Sequence, residues 1–322
     1  MISPGDPFAM HRHATTTDIL ERSERAWWAE HAEVEDRWCW VQTPRVQHLL
    51  RDRYTRRIAG WVRPGDTVVE VGCGTGWLTI LLAEAGVHDL VGVDFSPEQV
   101  ERARQAAAAA GADVTFAVGG IEDLAALGRP VDVVVLHAFL HHLAVDEIDD
   151  VFTKVGAALA PGGRLVVLEP TWYEGAPAGR GLADRVLRRV ERLPMGLAQR
   201  HLRRVGDEER ATREAIGQRG VGEWPFGPSP KELPFAPDEL ADLLQRAGFA
   251  VLERSPELSR AQLVAQELLL AGLSQPRLWR VALGPLLRLA VACDRRAVRR
   301  PVPPGDSWVF ELYLCGRAAA PA

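Results

Sequence analysis

Between residues 67 and 170, short apolar runs alternate with stretches of helical period. TVVEVG, DLVGVD, DVTFAVG, VDVVVLHAF and GRLVVLEP are valine-rich and of strand length. They are too continuously apolar for strands with one wet face, so they read as buried parallel strands. The intervening segments carry helix signals. WLTILLAEAG closes on Gly86. SPEQVERARQAAAAAG opens with Ser96 at the N-cap and Pro97 at the first helical position. AVDEIDDVFTKVGAALAPGG stops at a Pro-Gly-Gly turn. Alternation of this kind predicts an α/β fold with a doubly wound, mostly parallel sheet.

The flanks follow a different pattern. Residues 17–42 read as helical, and a second helix over about 44–62 places Val46, Leu49, Leu50, Ile58 and Trp61 at helical spacing. After Pro170 the alternation breaks into an Arg-, Gly- and Pro-rich segment with short helical pieces. FAPDELADLLQRAGFAVLERS resumes helix then strand, residues 259–300 are mostly helical, and SWVFELYLCG is a last strand. The expected organisation is an N-terminal helical lid (1–60), a ligand-binding core (61–170), a cap insertion (171–234), core again (235–258), a helical insertion (259–304), and a last strand with tail (305–322). The helical parts together would cap one edge of a seven-stranded sheet.

Composition narrows the function classes. The net charge of -5 disfavours a general nucleic-acid binder. All basic residues are arginine except Lys154 and Lys231. The arginines between Arg180 and Arg219 therefore read chiefly as a solvated helix face. Cys39, Cys73, Cys293 and Cys315 are scattered, without disulfide or zinc spacing. No signal peptide and no apolar run of spanning length is visible. The expectation is a soluble cytoplasmic protein acting on a small molecule, with no nucleic-acid or membrane partner and no metal.

VVEVGCGTG followed by VGVDFS carries the strongest chemical signal. A glycine loop between strand and helix lets a ligand approach the backbone closely. A dinucleotide fingerprint would need a third glycine where Trp77 stands, so the loop is G-x-G-x-G, with Glu70 two residues ahead. EVGCGTG, the acid in GVD, HAFLHHL and LAPGGRLVVLEP, in this order, resemble the class I, Rossmann-like S-adenosylmethionine-dependent methyltransferases of the small-molecule type. The resemblance covers about 60–170 and resumes near 235–258.

It implies S-adenosylmethionine as cofactor and S-adenosylhomocysteine as product. Gly72, Cys73, Gly74 and Gly76 should wrap the methionine part, with Glu70 near its ammonium group or steadying the loop. Asp94 should accept from both ribose hydroxyls, Phe95 should pack on adenine, and Leu136 and His137 should offer backbone to the amino acid end. Relatives often carry an aspartate after the third strand; here that position is Gly120. Ile121 can offer its backbone N–H, and Glu122 or Asp123 can supply the carboxylate.

The expected reaction is methyl transfer to O, N or S of a small molecule, in specialised, natural-product metabolism. The alternatives are aminocarboxypropyl transfer or cyclisation releasing methylthioadenosine, and an inactive cofactor-binding protein. Displacement at a sulfonium methyl is mainly a matter of alignment. A base is needed when the acceptor arrives protonated, and His141 and His142 suit that role. Either histidine could instead pack or cap. Glu169, Trp172 and Tyr173 close the fifth strand, and Trp172 and Tyr173 either line a substrate pocket or anchor the insertion. Four of ten tryptophans fall in RAWWAEHAEVEDRWCW. Indole faces attract cations and stack on flat substrates, and Trp28 and Trp40 are the two expected to face the site.

Overall fold

The computed structural model describes residues 54–143, 145–173, 235–236, 238–258 and 307–317. Seven strands form one sheet: β1 (Val68–Val71), β2 (Leu90–Asp94), β3 (Thr115–Val118), β4 (Val131–His137), β5 (Leu159–Tyr173), β6 (Phe249–Leu258) and β7 (Ser307–Arg317). Their order is β3-β2-β1-β4-β5-β7-β6. Every neighbouring pair is parallel except the two made by β7. The doubly wound, mostly parallel seven-stranded sheet expected from the alternation is therefore present. β1 has β2 on one side and β4 on the other, so the chain reverses its winding direction there. Open sheets of this kind bind ligands outside the carboxyl ends of the strands at such a switch point.

Among the described residues, four helices besides the helical residues 54–61 accompany the sheet: α1 (Trp77–Glu84), α2 (Pro97–Ala110), α3 (Val145–Ala158) and α4 (Glu239–Arg246). Alternation along β5 divides the core. Leu165 and Val167 pack with Ile148, Val151, Phe152 and Val155 of α3 and with Leu240, Leu243 and Leu244 of α4. Val166 and Leu168 face the other way, onto Leu78 and Leu82 of α1 and onto Tyr54 and Ile58. Tyr54 and Ile58 belong to the helical residues 54–61, so the end of the predicted N-terminal helix is docked on the sheet. Arg57 on that helix bonds Glu253, Ser255 and Glu257 of β6. α2 starts as its sequence dictates, with the Ser96 hydroxyl accepting from the Gln99 N–H and Pro97 following.

Two boundaries differ from expectation. β5 does not end at Pro170 but runs to Tyr173, because antiparallel β7 supplies partners for Thr171, Trp172 and Tyr173 at Val309, Trp308 and Ser307. α3 ends at Ala158, before the Pro-Gly-Gly turn, since Leu159 already pairs with Val131 of β4. Among the described residues no helix is long and apolar enough to cross a membrane.

Candidate active site

The loop between β1 and α1 depends on left-handed backbone at Gly72 (φ 71°), Gly74 (φ 51°) and Gly76 (φ 74°), a conformation that costs other residues about 1–2 kcal/mol each. Strand β2 holds the loop. The Gly72 and Cys73 amides donate to the Val93 carbonyl at 2.8 and 3.1 Å. Glu70 accepts from the Thr79 hydroxyl in the first turn of α1. That bond ties Glu70 to the start of α1. The same face must also be bare. A Cβ on Gly72 would stand 2.6 Å from Phe139 Cδ2, and one on Gly76 would stand 2.5 Å from Phe116 Cζ.

Asp94 ends β2 with only 7% of its surface exposed. Its Oδ2 accepts from the Gly74 N–H and its Oδ1 from the Ser96 N–H, both at 2.9 Å. Burial pushes its carboxyl above the usual aspartate range, and the two backbone bonds pull the other way. A carboxylate has about four lone-pair sites, so each oxygen keeps one for a further donor. A pair of ribose hydroxyls meets that requirement. Phe95 follows, half-buried. Beyond β3, Gly120 donates to Asp123 Oδ2 at 2.9 Å, and the Glu122 carboxylate lies 2.7 Å from where a Gly120 Cβ would stand. Both acids thus fold back over the Gly119-Gly120 pair, beside buried Ile121. Both neighbours thus bring a carboxylate to this end of β3.

On the other side of β1, the end of β4 carries two arrangements. His137 points into an aromatic group, with its ring 4.6 Å from Trp77 in edge-on geometry and stacked with Tyr54 at 6.4 Å and Phe310 at 6.1 Å. Leu136 is buried in the core. The chain then turns through Ala138, at φ 50°, into a 3-10 turn at Leu140–His142. Here Glu169 of β5, fully buried, gathers the segment. Its Oε1 accepts from the Phe139 and Leu140 amides at 2.8 and 2.7 Å, and its Oε2 meets His141 Nδ1 at 2.7 Å. Burial pushes the Glu169 carboxyl up to about 7, against the pull of those amides and of His142. The His142 ring lies 4.0 Å from that of His141.

Residues 68–163 match a family model described as a methyltransferase domain. The core of this chain thus carries a methyltransferase domain. In sequence it is similar to the ribosomal protein L11 methyltransferase of Burkholderia ambifaria (strain MC40-6), 33% identical over 106 residues, which is 33% of this chain and 32% of that protein. The match thus spans about a third of the curated relatives' length. Among solved structures, the [4+2]-cyclase SpnF is similar with a TM-score of 0.46 and 17% identity, over 84% of this chain and 82% of that one. The mycolic acid cyclopropane synthase CmaA1, solved with S-adenosylhomocysteine, gives 0.42 and 17%, over 80% and 79%.

The buried, doubly braced Asp94 and the bare glycine loop fit S-adenosylmethionine, the cofactor that the sequence resemblance implies. The structure brings Glu70, Gly72, Cys73, Gly74, Gly76 and Asp94 into one unit and sets His141 beside His142. Trp172 and Tyr173 continue β5 along β7. Trp28 and Trp40 lie outside the described residues. Sequence reasoning missed Phe139 as the contact over Gly72, the aromatic setting of His137, and the grip of Glu169 on the turn. The available signal for the last was an acid closing the apolar run LVVL in a strand buried on both faces.

Proposed function

We propose that this methyltransferase transfers the methyl group of S-adenosylmethionine to an O, N or S atom of a small molecule, in specialised, natural-product metabolism. The observation that carries the reading is the buried Glu169–His141 pair on the turn whose Phe139 packs over the cofactor loop. Bound there, the cofactor supplies an activated methyl group. Asp94 and the loop amides orient it, and His141 or His142 is the candidate base. A buried base suits a small acceptor that can enter an enclosed site better than a protein surface. The likeness to ribosomal protein methyltransferases spans about a third of each chain and says nothing of the acceptor. Residues 1–60, with Trp28 and Trp40, and the insertions at 171–234 and 259–304 are proposed to cover the acceptor, with Trp172 and Tyr173 along its wall.

The reading is tested by incubating the protein with methyl-labelled S-adenosylmethionine and a size-filtered metabolite extract, or with ribosomal protein. Label in the small-molecule fraction together with S-adenosylhomocysteine is the expected result. Label in ribosomal protein alone would overturn the small-molecule acceptor. Methylthioadenosine as the sole nucleoside product would overturn methyl transfer.

A further inference from the structure

The helix over residues 54–61 lies on the face of the sheet that α1 covers, and it is held at two separate places. At one of them is Arg57. Its Nη1 donates to Ser255 Oγ and Glu257 Oε1, and its Nη2 donates to Glu253 Oε1. Glu253, Ser255 and Glu257 alternate along β6, so they line one face of that edge strand, and Glu257 is buried. At the other place is buried Tyr54, one turn earlier on the helix. Its ring meets Trp77 edge-on at 6.4 Å and stacks with His137 at 6.4 Å. Trp77 and His137 meet each other at 4.6 Å. β6 stands three strand spacings from β4, roughly 14 Å. One short helix thus connects the edge of the sheet with its switch point.

The Tyr54 end of the helix borders the glycine loop. Trp77 follows Gly76, the last glycine of that loop, and opens α1. His137 ends β4, the neighbour of β1. Three glycines with left-handed φ give the loop much freedom to lose on binding a ligand. Strand β2 fixes the first end of the loop, through the Gly72 and Cys73 amides on Val93. The aromatic group fixes the second end, at Trp77. A loop fixed at both ends has less ordering left to undergo when ligand arrives, and it binds more tightly for that reason.

We infer that Arg57 is a positioning residue for the cofactor: by tying its helix to β6 it holds Tyr54 against Trp77 and His137, and so keeps the glycine loop in its binding shape. The inference rests on S-adenosylmethionine as the ligand of that loop and not on the acceptor. Arg57 suits the task through its planar fork, which serves three acceptors from two nitrogens. A lysine in its place keeps the charge but not the fork. Coupling between two sites is reciprocal, so bound cofactor in turn holds the helix on the sheet.

Calorimetry of S-adenosylhomocysteine binding to the full chain, with hydrogen exchange of the amides of residues 54–61, tests this. Arg57→Met is expected to weaken the Kd about tenfold, within the roughly 5–150-fold ordinary for coupled sites, with Arg57→Lys between it and the parent. Tyr54→Leu should weaken the Kd to a similar degree. Arg57→Met with Tyr54→Leu should weaken it no further, since both act through one docked helix. Ligand should slow exchange in the helix of the parent, and exchange there should be faster in Arg57→Met. Two controls separate positioning from loss of stability. Arg57→Met with Glu257→Gln strands no buried charge, so it should regain melting temperature but not affinity. Arg254→Ala removes an ion pair on the opposite face of β6 and should lower the melting temperature with the Kd unchanged. A Kd in Arg57→Met within about twofold of the parent, the scatter between independent sites, overturns the inference. So do losses that add in the double variant, affinity that returns with the melting temperature, a matching loss of affinity in Arg254→Ala, or helix exchange indifferent to ligand. A parent that binds no S-adenosylhomocysteine overturns the cofactor reading itself, and the positioning with it.

Discussion

Two buried carboxylates, Asp94 at the end of β2 and Glu169 within β5, are treated differently by their neighbours. Asp94 receives one backbone N–H on each oxygen and no cation, so both oxygens retain capacity toward a ligand. Glu169 receives two backbone N–H groups and meets the His141 ring. Hydrogen bonds to a charged acceptor contribute about 1.5–3 kcal/mol each. Replacing Asp94 by Ala is therefore expected to weaken S-adenosylhomocysteine binding by about 2 kcal/mol or more, roughly thirtyfold in Kd. Calorimetry on Asp94→Ala, with Asp94→Asn to preserve the shape of the turn, measures it; an unchanged Kd in both variants would remove Asp94 from the ribose site. Glu169 carries a stability consequence. Its folded value of about 7 lies above the ordinary 4.5. Between those pH values the folded protein holds a proton that the unfolded chain has released. The stability this contributes is fully present below about pH 4.5 and lost as pH rises through about 7. Urea melts across that window should show this decline in the parent and a flatter profile in Glu169→Gln.

At the scale of elements, the glycine loop and β2 are shaped to admit one ring. Phe116 of β3 lies against Gly76 and Gly92, where a Cβ would stand 2.5 and 2.6 Å from its atoms. Gly76 also has φ 74° and is the cap of α1, so a side chain there meets a clash and a strained backbone together. Gly76→Ala is expected to cost about 2–5 kcal/mol, summing overpacking and left-handed backbone. Gly92→Ala, with ordinary φ, should show only the packing part, and Phe116→Leu in the same chain should recover some of it. Chemical denaturation of the three variants checks the ordering; equal losses in Gly76→Ala and Gly92→Ala would remove the backbone contribution. Much at this scale was legible in the sequence, because apolar runs, the Ser96-Pro97 cap and the glycine spacing each act locally. The elements that were misjudged are those defined by a distant partner. Tyr173 is a strand residue because Ser307 lies opposite it, 134 positions later, and no local pattern states that. Likewise the resemblance singled out Asp94, and the structure sets it against the glycine loop through the Gly74 amide. The hold of Glu169 on His141 was not legible, since it depends on β4 and β5 bringing residues 28 apart to 2.7 Å.

For the molecule as a whole, the sheet has a continuous half and a reassembled half. From β1 to β5 the chain proceeds without long excursions, and this half carries the glycine loop, Asp94 and Glu169. α4, β6 and β7 return to the sheet after the segments at 174–234 and 259–306, and their junction is built on charge. Glu311, 2% exposed, accepts from Arg254 at 2.9 Å, Thr171 at 3.1 Å and the Tyr313 hydroxyl at 2.7 Å, while Arg254 also bonds Asp238 at the start of α4. Two ion pairs of Arg254 and the Thr171 bond to Glu311 thus join β5, β6, β7 and α4. Removing one partner of a buried pair leaves the other uncompensated, at a cost of 3–5 kcal/mol when burial is complete. Arg254 is partly exposed, so water screens some of this, and about 2–3 kcal/mol is expected for Arg254→Ala. Arg254→Met with Glu311→Gln should recover much of the loss, since no charge is then stranded, and a double-mutant cycle isolates the pair. The glycine loop and Asp94 lie across β1 and β4 from this junction, so S-adenosylhomocysteine affinity should be retained in Arg254→Ala at temperatures where the variant is folded. A parallel loss of affinity and stability would instead mean that the two halves of the sheet fold and bind as one unit, with the charge junction setting the cofactor site from a distance.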